Sequence, residues 1–346
     1  MPENPDHFAL VVGIDHYPRF SSLKGARKDA KDFHGWLIDP EGGGVPAANV
    51  ELILSRANPV RPIHDDIDDA LERLLAAARH AQGNRRFYLY FSGHGLGRSN
   101  VGADLCLATW SRERRAMALD SLSYLQLVMR CGYFREVVFF LDCCRVREMR
   151  TYALPPTIEL PAPGEGSPVC RSFIGYATEF MNAAYEAETS HPGSDGASDV
   201  RGHFTRALMD ALRGAAAEPT GGVRASKLKE YLEVNTPLIA RASSHMQKPE
   251  VVNGLEAQPD PLFGHAKPPA PVPGLAVNLE FKSVTNGEAV VEDGQLCELR
   301  RGDVSTGPWR IPVSGRTILL LRYLPTGAEK SIRVQGNEQE DIHVEF

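Results

Sequence analysis

Two short hydrophobic runs each end in groups able to do chemistry: FYLYFSGHG delivers His94, and VVFFLDCCR delivers Cys143 and Cys144. Residues 87–91 and 137–141 are rich in aromatic and β-branched side chains and too short for independent helices, so they are expected as buried central strands. Side chains alternate along a strand. Ser92 and His94 should therefore share one side of the first run's end, Asp142 and Cys144 one side of the second, with Cys143 facing away. Alternation weakens where a strand gives way to a loop, which leaves both thiols in play. Gly93 and Gly95 allow a sharp turn and a close approach of ligand to the imidazole. A thiol of pKa about 8.5 is only a few per cent thiolate at neutral pH, and an imidazole near about 6.5 can assist its deprotonation or protonate a leaving amine. The chemistry within reach is acyl transfer. The competing arrangement is a core histidine with two small buried apolar cysteines, a common fate of free cysteine.

Bringing two strand ends together takes a sheet. Residues 8–14 read as a strand, 23–38 as a helix, 50–54 as a strand and 62–80 as a helix, followed by the strand that carries His94. A helix near 121–131 precedes the Cys144 strand, and a strand near 173–177 and helices near 203–212 and 226–240 follow. This alternation predicts an α/β fold, a mostly parallel sheet flanked by helices on both sides, with active residues at strand ends. Residues 1–256 are expected to form this domain, 257–274 a proline-rich linker containing KPPAPVPG, and 275–346 a small all-β domain. The last assignment rests on AVNLEFK, QLCELR, RTILLLRYL and SIRVQG, divided by turn residues as in a β-sandwich. Cys297 in that region has no histidine motif beside it and reads as a packing residue.

Composition narrows the partners. With 346 residues, 42% of them hydrophobic, the chain can bury a large core. A net charge of −6 gives no electrostatic reason to expect nucleic acid or an anionic membrane. No apolar stretch reaches transmembrane length, and MPENPDHF lacks the pattern of a secretory signal, so a cytoplasmic location is expected. Cys106, Cys131, Cys143, Cys144, Cys170 and Cys297 show neither metal-ligand spacing nor a disulfide framework, which fits a reducing compartment.

The two catalytic-type segments resemble those of the caspase and metacaspase superfamily of cysteine proteases. FALVVGIDHY is similar to the family's first strand, LKGARKDAKDFHGWL to its first helix, SFIGYAT to a later core strand, GHFTRALMDAL to the following helix, and QKPEV to the domain's end. The separation of His94 from Cys144 matches the family's own, about 50 residues. The DCC sequence is nearer the metacaspase pattern, although Arg145, Val146 and Arg147 stand where metacaspases usually continue with His-Ser-Gly. The resemblance implies Cys144 as nucleophile, His94 as general acid/base, and the backbone N–H groups of Gly95 and Cys144 as the oxyanion hole. It also maps the pocket for the residue before the cut onto Asp29, Ser92 and Asp142. Two carboxylates and a hydroxyl call for a cation, and arginine's planar fork suits them better than lysine's point charge. Such a pocket would repel the aspartate that caspases accept.

Arginine preference would make the chain's own loops targets. Arg147 and Arg150 lead into LPPTIELPAPGEGSPV, and Arg201 lies in NAAYEAETSHPGSDGASDVRG, both expected to be irregular and exposed. All three are candidate processing sites at which self-cleavage, or an upstream activating protease, would switch a zymogen on. In HDDIDDALERLL, Asp65, Asp66, Asp68 and Asp69 fall in the first turns of a helix, where acids complement the macrodipole, and their spacing is not that of an EF-hand. Thr151 stands where the metacaspase calcium site would have an acid, so no metal or other cofactor is expected. The expected function is a cytoplasmic endopeptidase cutting protein substrates after exposed arginines in prokaryotic cell death or anti-phage defence, without nucleic-acid or membrane partners. The alternative is a non-catalytic caspase-like scaffold for protein interaction.

Overall fold

The computed structural model describes residues 4–81, 85–148, 152–160, 169–189, 199–218, 220–255, 260–267, 276–294, 296–313, 317–334 and 340–346. The elements that build the first domain are β1 (Phe8–Gly13), α1 (Ala26–Ile38), β2 (Val50–Leu54), α2 (His64–Ala78), β3 (Arg86–Ser92), α3 (Ser121–Arg130), β4 (Glu136–Asp142) and β5 (Arg171–Tyr176). They continue with a hairpin of β6 (Glu186–Thr189) and β7 (Asp199–Gly202), then α4 (His203–Asp210), α5 (Ala225–Arg241), β8 (Glu250–Asn253) and β9 (Leu262–Gly264). The central sheet runs β8-β5-β4-β3-β1-β2 and is parallel except for β8, which is antiparallel to β5.

Both faces of this sheet are covered, which is why its strands read as continuous apolar runs. Phe87, Leu89 and Phe91 of β3, with Val137, Phe139 and Leu141 of β4, pack toward α2 and α3. Tyr88 and Tyr90, with Val138 and Phe140, pack toward α1, α4 and α5. Phe33 of α1 stacks on Tyr90 with ring centroids 4.6 Å apart and meets Phe140 edge-on. Full burial of rings of this size contributes roughly 1.5–3 kcal/mol each.

The helices start where side chains close their free amides. Asp66 accepts from the Ile63 amide at 2.8 Å and Asp120 accepts from the Leu122 and Ser123 amides, so α2 begins at His64 and α3 at Ser121. Past Asp210 the helix expected to reach residue 212 widens into a π-type turn over Ala211–Ala215.

The C-terminal strands are β10 (Ala276–Phe281), β11 (Glu288–Glu292), β12 (Glu298–Asp303), β13 (Trp309–Pro312), β14 (Thr317–Tyr323), β15 (Ala328–Val334) and β16 (Glu340–Val344). They form sheets of order β13-β10-β16 and β12-β11-β14-β15 around a shared core of Val277, Leu279, Val291, Trp309, Leu319 and Leu321. One departure from the sequence reading and one feature it did not address arise here. Leu262–Gly264, assigned to the linker, is a strand paired with Val223–Arg224, and its Phe263 is buried against Phe173 and Phe140. In addition, β14 is buried on both faces: Leu319 and Leu321 enter the sandwich core, whereas Ile318 and Leu320 join the core of the first domain. The proline-rich residues 268–275 lie outside the described residues.

Candidate active site

In the parallel register β3 and β4 lie side by side with Ser92 opposite Asp142, so their two reactive extensions leave the sheet at neighbouring points. The Gly93 amide donates to the Asp142 carbonyl at 3.2 Å and ties the two turns together. A Cβ on Gly95 would fall 2.5 Å from Cys143 Sγ and 2.7 Å from the Cys144 carbonyl oxygen. Only glycine lets the histidine turn lie this close to the cysteine turn.

Cys143 continues the alternation of Leu141 and is buried in the core on the α2 and α3 side. Cys144, half-buried, lines a small cavity of about 80 Å³ that Cys143 also borders, together with His94, Asp29, Ser92, Asp142 and Glu186. Its Sγ accepts from the Ala184 amide at 3.3 Å and faces the Ala184 carbonyl at 3.4 Å. Burial pushes the Cys144 thiol up, against the pull of the Ala184 amide.

His94 is held from three sides. Its amide donates to the Tyr17 hydroxyl at 2.9 Å, and its ring lies between Tyr17 and Phe20 with centroids 4.7 and 4.9 Å away. Its Nε2 is 2.7 Å from the Ser21 carbonyl. A carbonyl can only accept, so Nε2 carries the proton and Nδ1 of the neutral ring keeps a lone pair. Burial lowers the His94 pKa, partly offset by the Ser21 carbonyl. Burial thus favours the neutral form of each group, the Cys144 thiol and the His94 imidazole.

Beside this pair sits an acidic pocket. Asp29, in the first turn of α1, is 1% exposed, and Asp142, at the end of β4, is 6% exposed. Asp142 Oδ2 accepts from the Thr205 amide at 3.1 Å and hydroxyl at 2.6 Å, and Asp29 accepts from the Gly202 amide at 2.9 Å and from Arg201. Burial raises both carboxyls, Asp29 to about 7 and Asp142 to about 6, and each is relieved in part by its donors. Gly202 runs between them. A Cβ there would stand 2.2 Å from Asp142 Oδ2 and 3.2 Å from Asp29 Oδ2.

Glu186 was not among the expected site residues. It starts β6, accepts from the Lys24 amide at 2.9 Å and the Gly25 amide at 2.8 Å, and so closes the N-terminus of α1, whose own N-cap is glycine. No periodicity or spacing in the sequence marks it, because it reaches the cavity by the fold-back of the β6–β7 hairpin.

The expected processing sites part ways. Arg147 is exposed on a segment that bridges to Gly97, and Arg150 lies outside the described residues. Arg201 corrects the expectation of an open loop: it belongs to β7, its side chain is 17% exposed, and its guanidinium pairs with Asp29 and Asp32. Arg145, in the irregular segment after β4, points inward. It is fully buried, bonded to the carbonyls of Asn100, Gly102 and Thr178 and to Glu250, with its guanidinium 4.1 Å from the centre of the Tyr176 ring.

Residues 6–257 match the family model of the caspase domain. The chain belongs to the caspase-domain family of cysteine peptidases. It is 32% identical over 234 residues to a protein described as a probable protease from a Desulfuromonadales bacterium, a match covering 60% of this chain and 26% of that protein's length. A solved structure, that of pro-sf-caspase-1, aligns at 13% identity with a TM-score of 0.40, covering 73% of this chain and 88% of that one. Within the caspase domain, His94 and Cys144 come from the ends of adjacent parallel strands and meet in one cleft. Among the described residues no helix is long and apolar enough to cross a membrane.

Proposed function

We propose that this chain is a cysteine endopeptidase that cuts protein substrates after arginine, with lysine the weaker alternative. The observation that carries the reading is the cavity in which Cys144 and His94 adjoin three carboxylates, those of Asp29, Asp142 and Glu186, and the Ser92 side chain. A cation seated there relieves the Asp29 and Asp142 carboxyls, which burial raises, and a guanidinium can meet more than one carboxylate at once.

In the proposed reaction His94 Nδ1 takes the proton from Cys144 Sγ as the sulfur attacks the scissile carbonyl. The oxyanion is received by the N–H groups of Gly95 and Cys144, whose turns pack against each other. The imidazolium then protonates the leaving amine, and water activated by the same ring hydrolyses the thioester.

The proposal requires no metal. Two acids of the HDDIDD stretch are already occupied within the fold: Asp66 by the Ile63 amide and Arg61, Asp68 by Tyr124 and Thr157. The setting we infer is regulated proteolysis in prokaryotic cell death or anti-phage defence, in the cytoplasm, on proteins with exposed arginines and downstream of a loop cleavage made by the enzyme itself or by another protease. The test is a panel of fluorogenic peptides that differ only in arginine, lysine or aspartate before the scissile bond. Arginine should lead, and addition of chelator or calcium should leave the rate unchanged. Preference for aspartate, or no turnover of any peptide before or after loop cleavage, would overturn the reading in favour of another specificity or a scaffold.

A further inference from the structure

Every residue of α4 is buried, and its polar side chains leave it toward three different parts of the molecule. At its first turn Thr205 holds Asp142 through amide and hydroxyl. One residue on, Arg206 binds the Ala187 carbonyl of β6 and lies 3.4 Å from the Asp199 carbonyl of β7, the two strands of the hairpin that begins with Glu186. At its last turn Asp210 accepts from Arg333 of β15 through both carboxylate oxygens, at 2.9 and 3.1 Å. Asp210 is 6% exposed and Arg333 18% at the side chain, so this is a shielded pair between the C-terminal sandwich and the caspase domain. The surrounding contact is apolar and specific: Ile318 and Leu320 of β14 sit in the caspase-domain core, and Asn235 of α5 donates to the Gly294 carbonyl at 3.1 Å.

Arg333 brings a full positive charge to both oxygens of the buried Asp210 carboxylate, at the point where α4 passes into the π-type turn. Without that partner a buried carboxylate gains by moving toward water, and the short helix moves with it. Thr205 and Asp210 are separated by only about 7–8 Å along the axis at 1.5 Å per residue, so a tilt at one end displaces the other.

We propose that the C-terminal sandwich is a positioning element of the peptidase site, in which Arg333 fixes the end of α4 through Asp210 and α4 in turn fixes the Asp142 carboxylate and the hairpin carrying Glu186. Arg333 is a positioning residue: it acts on the pocket for the residue before the cut and leaves the His94 and Cys144 turns alone. The inference rests on the assignment of that pocket made above.

The test compares wild type with Arg333→Met in the full chain. With an arginine peptide, KM should rise about 10-fold while kcat changes less than about 3-fold, the signature of a loss in substrate binding. Alkylation of Cys144 by iodoacetamide, which needs no such pocket, should stay within about 2-fold of wild type. Hydrogen exchange needs no substrate: amides of residues 199–206 should exchange about 10-fold faster, with β1 and β3 unchanged. Arg333→Lys, which keeps the charge without the fork, should fall between the two and replaces Arg333→Met if that variant does not fold. A folded variant with wild-type KM and wild-type exchange over 199–206 would overturn the proposal, as would faster exchange spread equally over β1 and β3. A wild-type enzyme that ignores arginine would instead refute the pocket assignment, and the exchange measurement would still decide whether the sandwich holds α4 in place.

Discussion

Asp142→Asn should damage catalysis and stabilise the protein at the same time. The asparagine is isosteric, and its amide oxygen can keep accepting from the Thr205 amide and hydroxyl, now 3.1 and 2.6 Å from Oδ2. What it removes is charge. Truncating one partner of a buried charge pair typically costs about 2–5 kcal/mol. Asp29 and Glu186 would still face the substrate cation, so the lower end applies, and at about 1.4 kcal/mol per tenfold the loss in kcat/KM is about 30- to 100-fold. Stability moves the other way. Burial holds the Asp142 carboxyl at about 6 against 3.8 for a free aspartate. Because the folded state binds the proton more tightly than the unfolded chain, the stability this group contributes is fully present below the unfolded value and lost as pH rises through about 6. At pH about 8 the ionised carboxylate therefore costs the fold on the order of 1–3 kcal/mol, which a neutral amide does not. The assay is kcat/KM on an arginine peptide at pH about 8, with thermal melts at about 8 and 5. The melting temperature should rise by a few degrees at the higher pH and change little at the lower, where wild-type Asp142 is already neutral. A loss in kcat/KM under about 3-fold, or a melting temperature that falls at the higher pH, would refute the reasoning.

The acidic pocket also predicts a pH profile: kcat/KM for arginine peptides should fall as pH drops through about 7 and then 6, because Asp29 and Asp142 take up protons there and lose their hold on the cation; a flat profile between about 5.5 and 8 would contradict it. Cys144→Ala should reduce turnover to background. Cys143→Ala, which only trims a buried sulfur, should cost about 1 kcal/mol in chemical denaturation and keep activity within about 5-fold; equal inactivation by both would reverse the two roles. Arg145→Ala should destabilise the fold by about 3 kcal/mol or more, since it leaves the buried Gly102 and Thr178 carbonyls, the Asn100 carbonyl and Glu250 without their common partner, and a change below about 1 kcal/mol would contradict that role. Intact-mass analysis of wild type and Cys144→Ala should show a cut after Arg147 or Arg150 in the wild type alone; a single uncut species in both would rule out self-processing, and native cleavage after Arg201 would contradict its pairing with Asp29 and Asp32.

Much of this protein could be read from residue order alone, because its central strands are buried on both faces and flanked by turns. A run such as FYLYFS cannot be satisfied at a surface, so its place in the middle of a sheet follows from composition. Period-2 alternation then puts Ser92 and Asp142 on the face of Tyr90 and Phe140, and Cys143 with Leu141 on the other. These are local rules, acting over a few residues. Other features depend on contacts between segments far apart in the chain, which local rules do not reach. Glu186 enters the pocket because it closes the amides of α1, more than 160 residues earlier. Arg201 and Arg145 read as exposed loop arginines until the carboxylates and carbonyls that bury them are in place. The linker residue Phe263 is core because β9 returns to the sheet's aromatic face. β14 looks like any sandwich strand, yet the alternation of Ile318 and Leu320 with Leu319 and Leu321 serves two cores at once. The chemistry at the two strand ends is thus determined by sequence-local geometry. The buried, acidic environment around it is decided by the tertiary fold, because burial and long-range pairing belong to no single segment.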